Sequence, residues 1–217
     1  MVNAEVTNFF IAGAVILAVV AFRFLRNTNA TFRFFGIGLA LYSVAFAVWS
    51  GIVATHPADL SMWTSVGVAF FGVAHIFYVA AATSDFTRVV QRNLLIIAAV
   101  FLLGLFVLRT WILPSSPSFS PAGLYYFNAE PPVMLMYILV FAGSFMPAIH
   151  VVTSHIAQKN LAMFTRIFLN LTVLTAVVLL TSSDETLQYW NGAVMALGLL
   201  GLLVNYLTTT PRYKTVV

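Results

Sequence analysis

The chain has 217 residues, of which 61% are hydrophobic and 7% charged, with a formal net charge of +4 and no cysteine. An ordinary soluble domain carries about 25% charged residues, so a water-soluble fold is excluded. The missing thiols exclude disulfides, cysteine-ligated metal and a cysteine nucleophile. The basic excess does not point to nucleic acid, because these residues lie between apolar runs, where they set orientation and meet anionic headgroups.

The N-terminal MVNAEVTNFF lacks the basic region of a cleavable signal peptide, so the first apolar run is expected to be a retained helix. A helix of about 20 residues rises about 30 Å, the thickness of a bilayer's hydrocarbon core. Runs of that length recur at residues 7–25, 34–54, 62–83, 93–113, 133–153, 161–181 and 189–208. They use up the chain and leave no room for a separate soluble domain. A basic turn with Arg23, Arg26 and Arg33 follows the first run, and THPADLS with Asp59 follows the second. The turn after the third holds Asp85, Arg88 and Arg92. The one long loop, residues 114–132, follows the fourth and carries five prolines and the aromatics Tyr125, Tyr126 and Phe127. This cluster is expected to be an interfacial anchor, or else a lid over an outward-facing pocket. Lys159 follows the fifth run, Arg166 lies one turn inside the sixth, Asp184 and Glu185 precede the seventh, and Arg212 and Lys214 close the chain.

With the connections on alternating sides, nine of the ten Lys and Arg fall on one face. Arg109 falls on the other with Glu5, Asp59, Glu130, Asp184 and Glu185. The positive-inside rule predicts an outside N-terminus and a cytoplasmic C-terminus, and an odd number of spans is needed to sort the charges this way. The expected fold is an all-α integral membrane protein: a seven-transmembrane helix bundle in the plasma membrane. Spans 1–3 and 5–7 share orientation and charge order, and Trp63 and Trp190 sit near the start of the third helix of each set. A 3+1+3 parallel repeat is therefore expected, with span 4 as the linker.

In lipid, small residues mark close helix contacts. Gly36, Ala40, Ser43, Ala47 and Ser50 in span 2, and Gly198, Gly201 and Asn205 in span 7, are read as such seams. Polar groups at membrane depth face the bundle interior. His75 is the deepest ionisable residue. His150 follows Pro147, which should kink span 5 and free a carbonyl. Asn170 lies one turn beyond Arg166. His75, Tyr78, Tyr42, Trp49, Tyr137 and Asn170 are the residues expected to line a ligand cavity beneath the 114–132 loop. For His75 the plainer reading is a neutral imidazole hydrogen-bonded to a neighbouring helix.

No cofactor is expected. Counted from the cytoplasmic ends of their spans, His75 sits several Å deeper than His150, a poor fit to bis-imidazole haem ligation. No span contains Asp or Glu to complete a metal site, and span 7 has no lysine for a retinal Schiff base. No serine sits in a nucleophile-elbow context, so the chain is expected not to be an enzyme.

The stretches RFLRNTNATFRFFGIGLALYSVAFAVWSG and PAGLYYFNAEPPVMLMYILVFAGS, with Trp63 opening span 3, resemble the seven-transmembrane N-terminal sensor module of prokaryotic histidine kinases and diguanylate cyclases. That resemblance implies a ligand-sensing membrane module. The family's output domain should follow span 7, and here only TPRYKTVV follows, so an effector would be a separate chain. The orientation and repeat also resemble the sugar-transporting and PQ-loop families, whose PQ dipeptide is not found. The leading expectation is thus a non-enzymatic receptor or sensor-like module for a small, largely apolar ligand. The alternatives are a small-solute transporter or channel built of two three-helix halves, and a structural or assembly subunit of a larger membrane complex. Expected partners are membrane lipids, a separate effector or complex subunits, and a second copy of the chain in a homo-oligomer; nucleic acid is not among them.

Overall fold

The computed structural model describes residues 4–181 and 184–209. Its helices, in chain order, are α1 (Ala4–Leu25), α2 (Ala30–Thr55), α3 (Leu60–Ala82), α4 (Arg88–Ile112), α5 (Pro131–Ser154), α6 (Lys159–Thr181) and α7 (Glu185–Thr208). All of these but α6 are long and apolar enough to cross a membrane, and α6 is a seventh helix of 23 residues. The chain is an all-α protein of integral, multi-pass membrane character. Every helix coincides with one of the apolar runs and begins two to five residues before it. Three of these earlier starts are fixed by a polar cap. Asn29 accepts from the Thr31 amide, Asp59 from Met62 and Asp184 from Leu187, each satisfying an amide the helix leaves free. Asp59 and Asp184, read from the sequence as acids marking one face, are thus also N-caps. The basic tail residues Arg212 and Lys214 lie outside the described residues.

Neighbouring helices in the chain pack together from α1 to α3 and from α5 to α7. The two sets meet where α3 packs on α5 and where α7 packs on α1, closing a ring. The seams follow the small-residue stripes. Ser43 Oγ donates to the Ala14 carbonyl at 2.8 Å, tying α2 to α1. A β-carbon at Gly201 would sit 2.4 Å from the Phe168 ring, and Asn205 donates to Thr165 Oγ1 at 3.3 Å, so α7 lies close against α6.

Helix α4 stands outside this ring, against α3 and α5. Of its residues only Leu105 and Arg109 are buried, while Ile97, Val100, Leu103 and Trp111 are all more than 60% exposed. The middle of the chain is therefore not the middle of the bundle. Both α4 and α5 contain a π-helical turn, Leu108–Ile112 and Phe141–Phe145. In α5 the cause is Pro147, which has no amide to give the Gly143 carbonyl and crowds it, so the backbone widens by one residue just before the proline.

At one end, contacts among turns and helix ends tie the bundle together. Thr31 and Ser84 hydroxyls meet at 2.6 Å, Gln91 Nε2 donates to the Ala80 carbonyl, Asp85 lies 3.9 Å from His155, and Arg166 donates to Thr153 Oγ1. The loop closes the other end. Ser118–Phe119 and Tyr125–Tyr126 pair as short antiparallel strands β1 and β2, with Gly123 supplying the positive φ of 80° in the turn between them.

Candidate functional site

His75 joins three helices. Its Nε2 lies 2.9 Å from the Tyr42 hydroxyl of α2, and its Nδ1 lies 2.5 Å from Ser144 Oγ, in the π-turn of α5. Ser144 donates its own proton to the Val140 carbonyl at 2.6 Å. The serine oxygen must therefore accept from His75 Nδ1–H, which leaves Nε2 to accept from Tyr42. One neutral tautomer satisfies every group in the chain. The extra residue of the π-turn is what places Ser144, rather than a neighbour, against the imidazole. Both ring nitrogens of His75 are thereby committed, and His150 is exposed on α5.

Around this hub the aromatics pack closely on the side facing α2. Tyr42 stacks on Phe71 with centroids 4.5 Å apart, and Tyr78 meets Phe145 edge-on at 4.4 Å. A β-carbon at Gly38 would lie 2.4 Å from the Tyr78 ring, and one at Gly67 would lie 2.5 Å from Trp49 Nε1. These two glycines let the helices close over the rings. Tyr42, Tyr78 and Trp49 are therefore parts of a packed aromatic core, and the Tyr78 hydroxyl and Trp49 Nε1 are buried without partners.

The open space lies on the other side of α3. Because α4 stands off, two cavities of about 320 and 480 Å³ lie between α3, α4 and α5. Both are walled mostly by aliphatic side chains, and His75, Leu102 and Val140 line both of them. Tyr137 lines the smaller one. Of the six residues expected to share a cavity, the groove brings together His75 and Tyr137. Tyr42 touches it only through His75, Trp49 and Tyr78 belong to the aromatic core, and Asn170 sits on α6 with its Oδ1 buried and unpartnered.

Sequence reasoning missed Arg109. On a helix, positions 102, 105 and 109 share a face, and α4 turns that face inward. Arg109 is 3% exposed, the one buried Lys or Arg among the described residues. Its Nε and Nη1 have no hydrogen-bond partner, and no described carboxylate pairs with it. Its charge acts on the hydroxyl of Tyr125 in the loop, and the Tyr137 hydroxyl of α5 is buried and unpartnered. The signal in the sequence was spacing alone: an arginine seven residues beyond Leu102 on the same face.

The loop lies over this end. Leu124, Tyr125, Tyr126 and Phe127 are buried rather than spread at the interface. Phe127 meets Trp49 edge-on at 5.4 Å, Phe119 stacks on His56 at 4.1 Å, and the Tyr125 hydroxyl bonds to Thr64 Oγ1. Burial pushes the Tyr125 phenol up to about 12, with the Thr64 bond and the nearby Arg109 charge pulling the other way.

Comparison with protein-family models, characterised proteins and solved structures finds no match to this chain.

Proposed function

We propose that the chain is a seven-span receptor or sensor-like module of the plasma membrane that holds a small, largely apolar ligand in the groove between α3, α4 and α5. The observation that carries this reading is the groove itself. Two aliphatic cavities of 320 and 480 Å³ fall within or near the range of about 300–1,000 Å³ usual for small-molecule sites, with few polar groups in their walls. One wall, α4, is held by few buried side chains, so an occupant that fits the groove tightly changes the position of α4 at little cost to the rest of the fold. That motion is the output, read at the basic end. No step of covalent chemistry is needed, and His75 serves as the joint that keeps α2, α3 and α5 rigid while α4 moves.

The proposed orientation is N-terminus outside and C-terminus cytoplasmic. It is supported by the gathering of Arg23, Arg26, Arg33, Arg88, Arg92 and Lys159 on the turns at one end. The resemblance to kinase-linked sensor modules points the same way. The test is saturable binding of hexadecanol by the protein in phosphatidylcholine nanodiscs. Wild type should bind, and Leu102→Trp, which fills the space common to both cavities, should not. Equal binding by both proteins would dismiss the groove.

One feature favours a second reading, a small-solute carrier made of two halves. Contacts of α3 with α5 and of α7 with α1 are what a two-fold axis along the membrane normal would interchange. That supports the 3+1+3 repeat. Liposome flux separates the two readings, since a receptor moves no solute.

A further inference from the structure

We propose, building on the groove reading above, that Arg109 and Tyr137 hold the carboxylate of a single-chain fatty acid whose alkyl chain lies between α3, α4 and α5. A guanidinium removed from water without a counter-charge is costly. Such groups at membrane depth face the bundle interior or a cavity, find a partner there and mark functional sites. Arg109 meets that description: nearly fully buried, with Nε and Nη1 unbonded, while the exposed acids Asp59 and Asp184 cap helices instead. Tyr137, in the wall of the smaller cavity with Leu105 and Phe106, adds a second buried donor without an acceptor. An oxygen anion between them satisfies both at once.

The rest of the site is apolar. One turn below Arg109, Leu105 and Phe106 line the smaller cavity, and Leu102 leads on to the larger one past His75. A ligand that fits has one charged end and a long hydrocarbon tail. The volumes suit one chain rather than the two of a phospholipid. The entry is lateral: Leu103 lines the smaller cavity and Ile97 the larger, and both are more than 60% exposed on the surface that faces lipid. An amphiphile already in the bilayer enters there with its headgroup at the depth of Arg109.

The experiment compares hexadecanoate, hexadecanol and phosphatidylglycerol as ligands of the full chain in phosphatidylcholine nanodiscs. Hexadecanoate should bind at least about tenfold tighter than hexadecanol, since a buried charge pair is lost with the alcohol. Arg109→Gln should erase that preference by weakening hexadecanoate binding at least about tenfold. Arg109→Lys, which keeps the charge, should retain part of it. If Arg109→Gln does not fold, Tyr137→Phe carries the test, with a several-fold weaker affinity for the acid at unchanged helix content. Acid and alcohol binding equally to wild type, or a preference that survives Arg109→Gln, would overturn the carboxylate assignment while the groove stands. Displacement of hexadecanoate by phosphatidylglycerol would overturn it in favour of a lipid phosphate. Failure of wild type to bind either single-chain amphiphile would remove the groove reading as well.

Discussion

Helices α2 and α4 are both long and apolar, and α4 is the more apolar, yet half of the most apolar stretch of α2 is buried and only about a tenth of that of α4. Between water and protein this order would be reversed. In lipid, hydrocarbon side chains gain little by leaving one apolar medium for another, and helices associate where small residues permit close packing and polar groups find partners. Helix α2 has Gly36, Gly38, Ser43 and Tyr42, each used in a contact. Helix α4 offers Leu, Ile, Val and Phe, and its Gly104 has no atom within 4 Å of a built β-carbon. Apolarity put α4 in the membrane and did not put it in the bundle.

Substitutions can break or sharpen this contrast. The largest effect is expected at Gly38→Leu, which drives atoms into the Tyr78 ring. It should cost about 3 kcal/mol or more and prevent recovery of monodisperse protein. The same change at Gly104 should leave thermal stability within about 0.5 kcal/mol. Equal damage at both sites would deny that α4 is peripheral.

His75→Ala comes next. It strands the Tyr42 hydroxyl and leaves a hole among Phe71, Tyr78 and Phe141, for a loss of about 2–3 kcal/mol in unfolding experiments. Tyr42→Phe, which removes only one bond, should cost about 1 kcal/mol. Asn170→Ala should not alter ligand affinity, because Asn170 lies on α6, away from the groove residues. A ligand lost with Asn170→Ala and kept with Leu102→Trp would move the site.

Tyr125 gives a smaller effect, read by pH. Its folded pKa is raised from 10 to about 12. Between those values the unfolded chain loses the proton first, so stability is fully present below pH 10 and falls as pH rises towards 12. Tyr125→Phe should remove that part of the alkaline decline, checked by denaturation at stepped pH. The smallest effect is expected for Val100→Ala on the outer face of α4, which should not shift stability measurably.

The helix positions were legible because a run of 20 apolar residues between polar caps has little choice in a bilayer. The Gly198, Gly201 and Asn205 seam was legible for a related reason: small and polar residues at helical spacing have one use in lipid. Pro147 announced the distortion in α5. Ser144 was not legible, because the π-turn shifts the register and ordinary 3.6-residue counting does not place it against His75. The exterior place of α4 was hidden for the reason already given, since its composition is that of any span. Arg109 reads in sequence as a residue near a loop, free to reach water. Only the fold shows that it is buried.

The groove itself is tested most directly by asking where an occupant sits. A diazirine-bearing hexadecanol analogue, photolysed with the protein in nanodiscs and followed by peptide mapping, should label the inward face of α4 at Leu102 and Leu105 together with Val140 of α5, and Leu102→Trp should abolish that labelling. Label confined to the outward positions Ile96 and Val100, or unchanged by Leu102→Trp, would contradict the account.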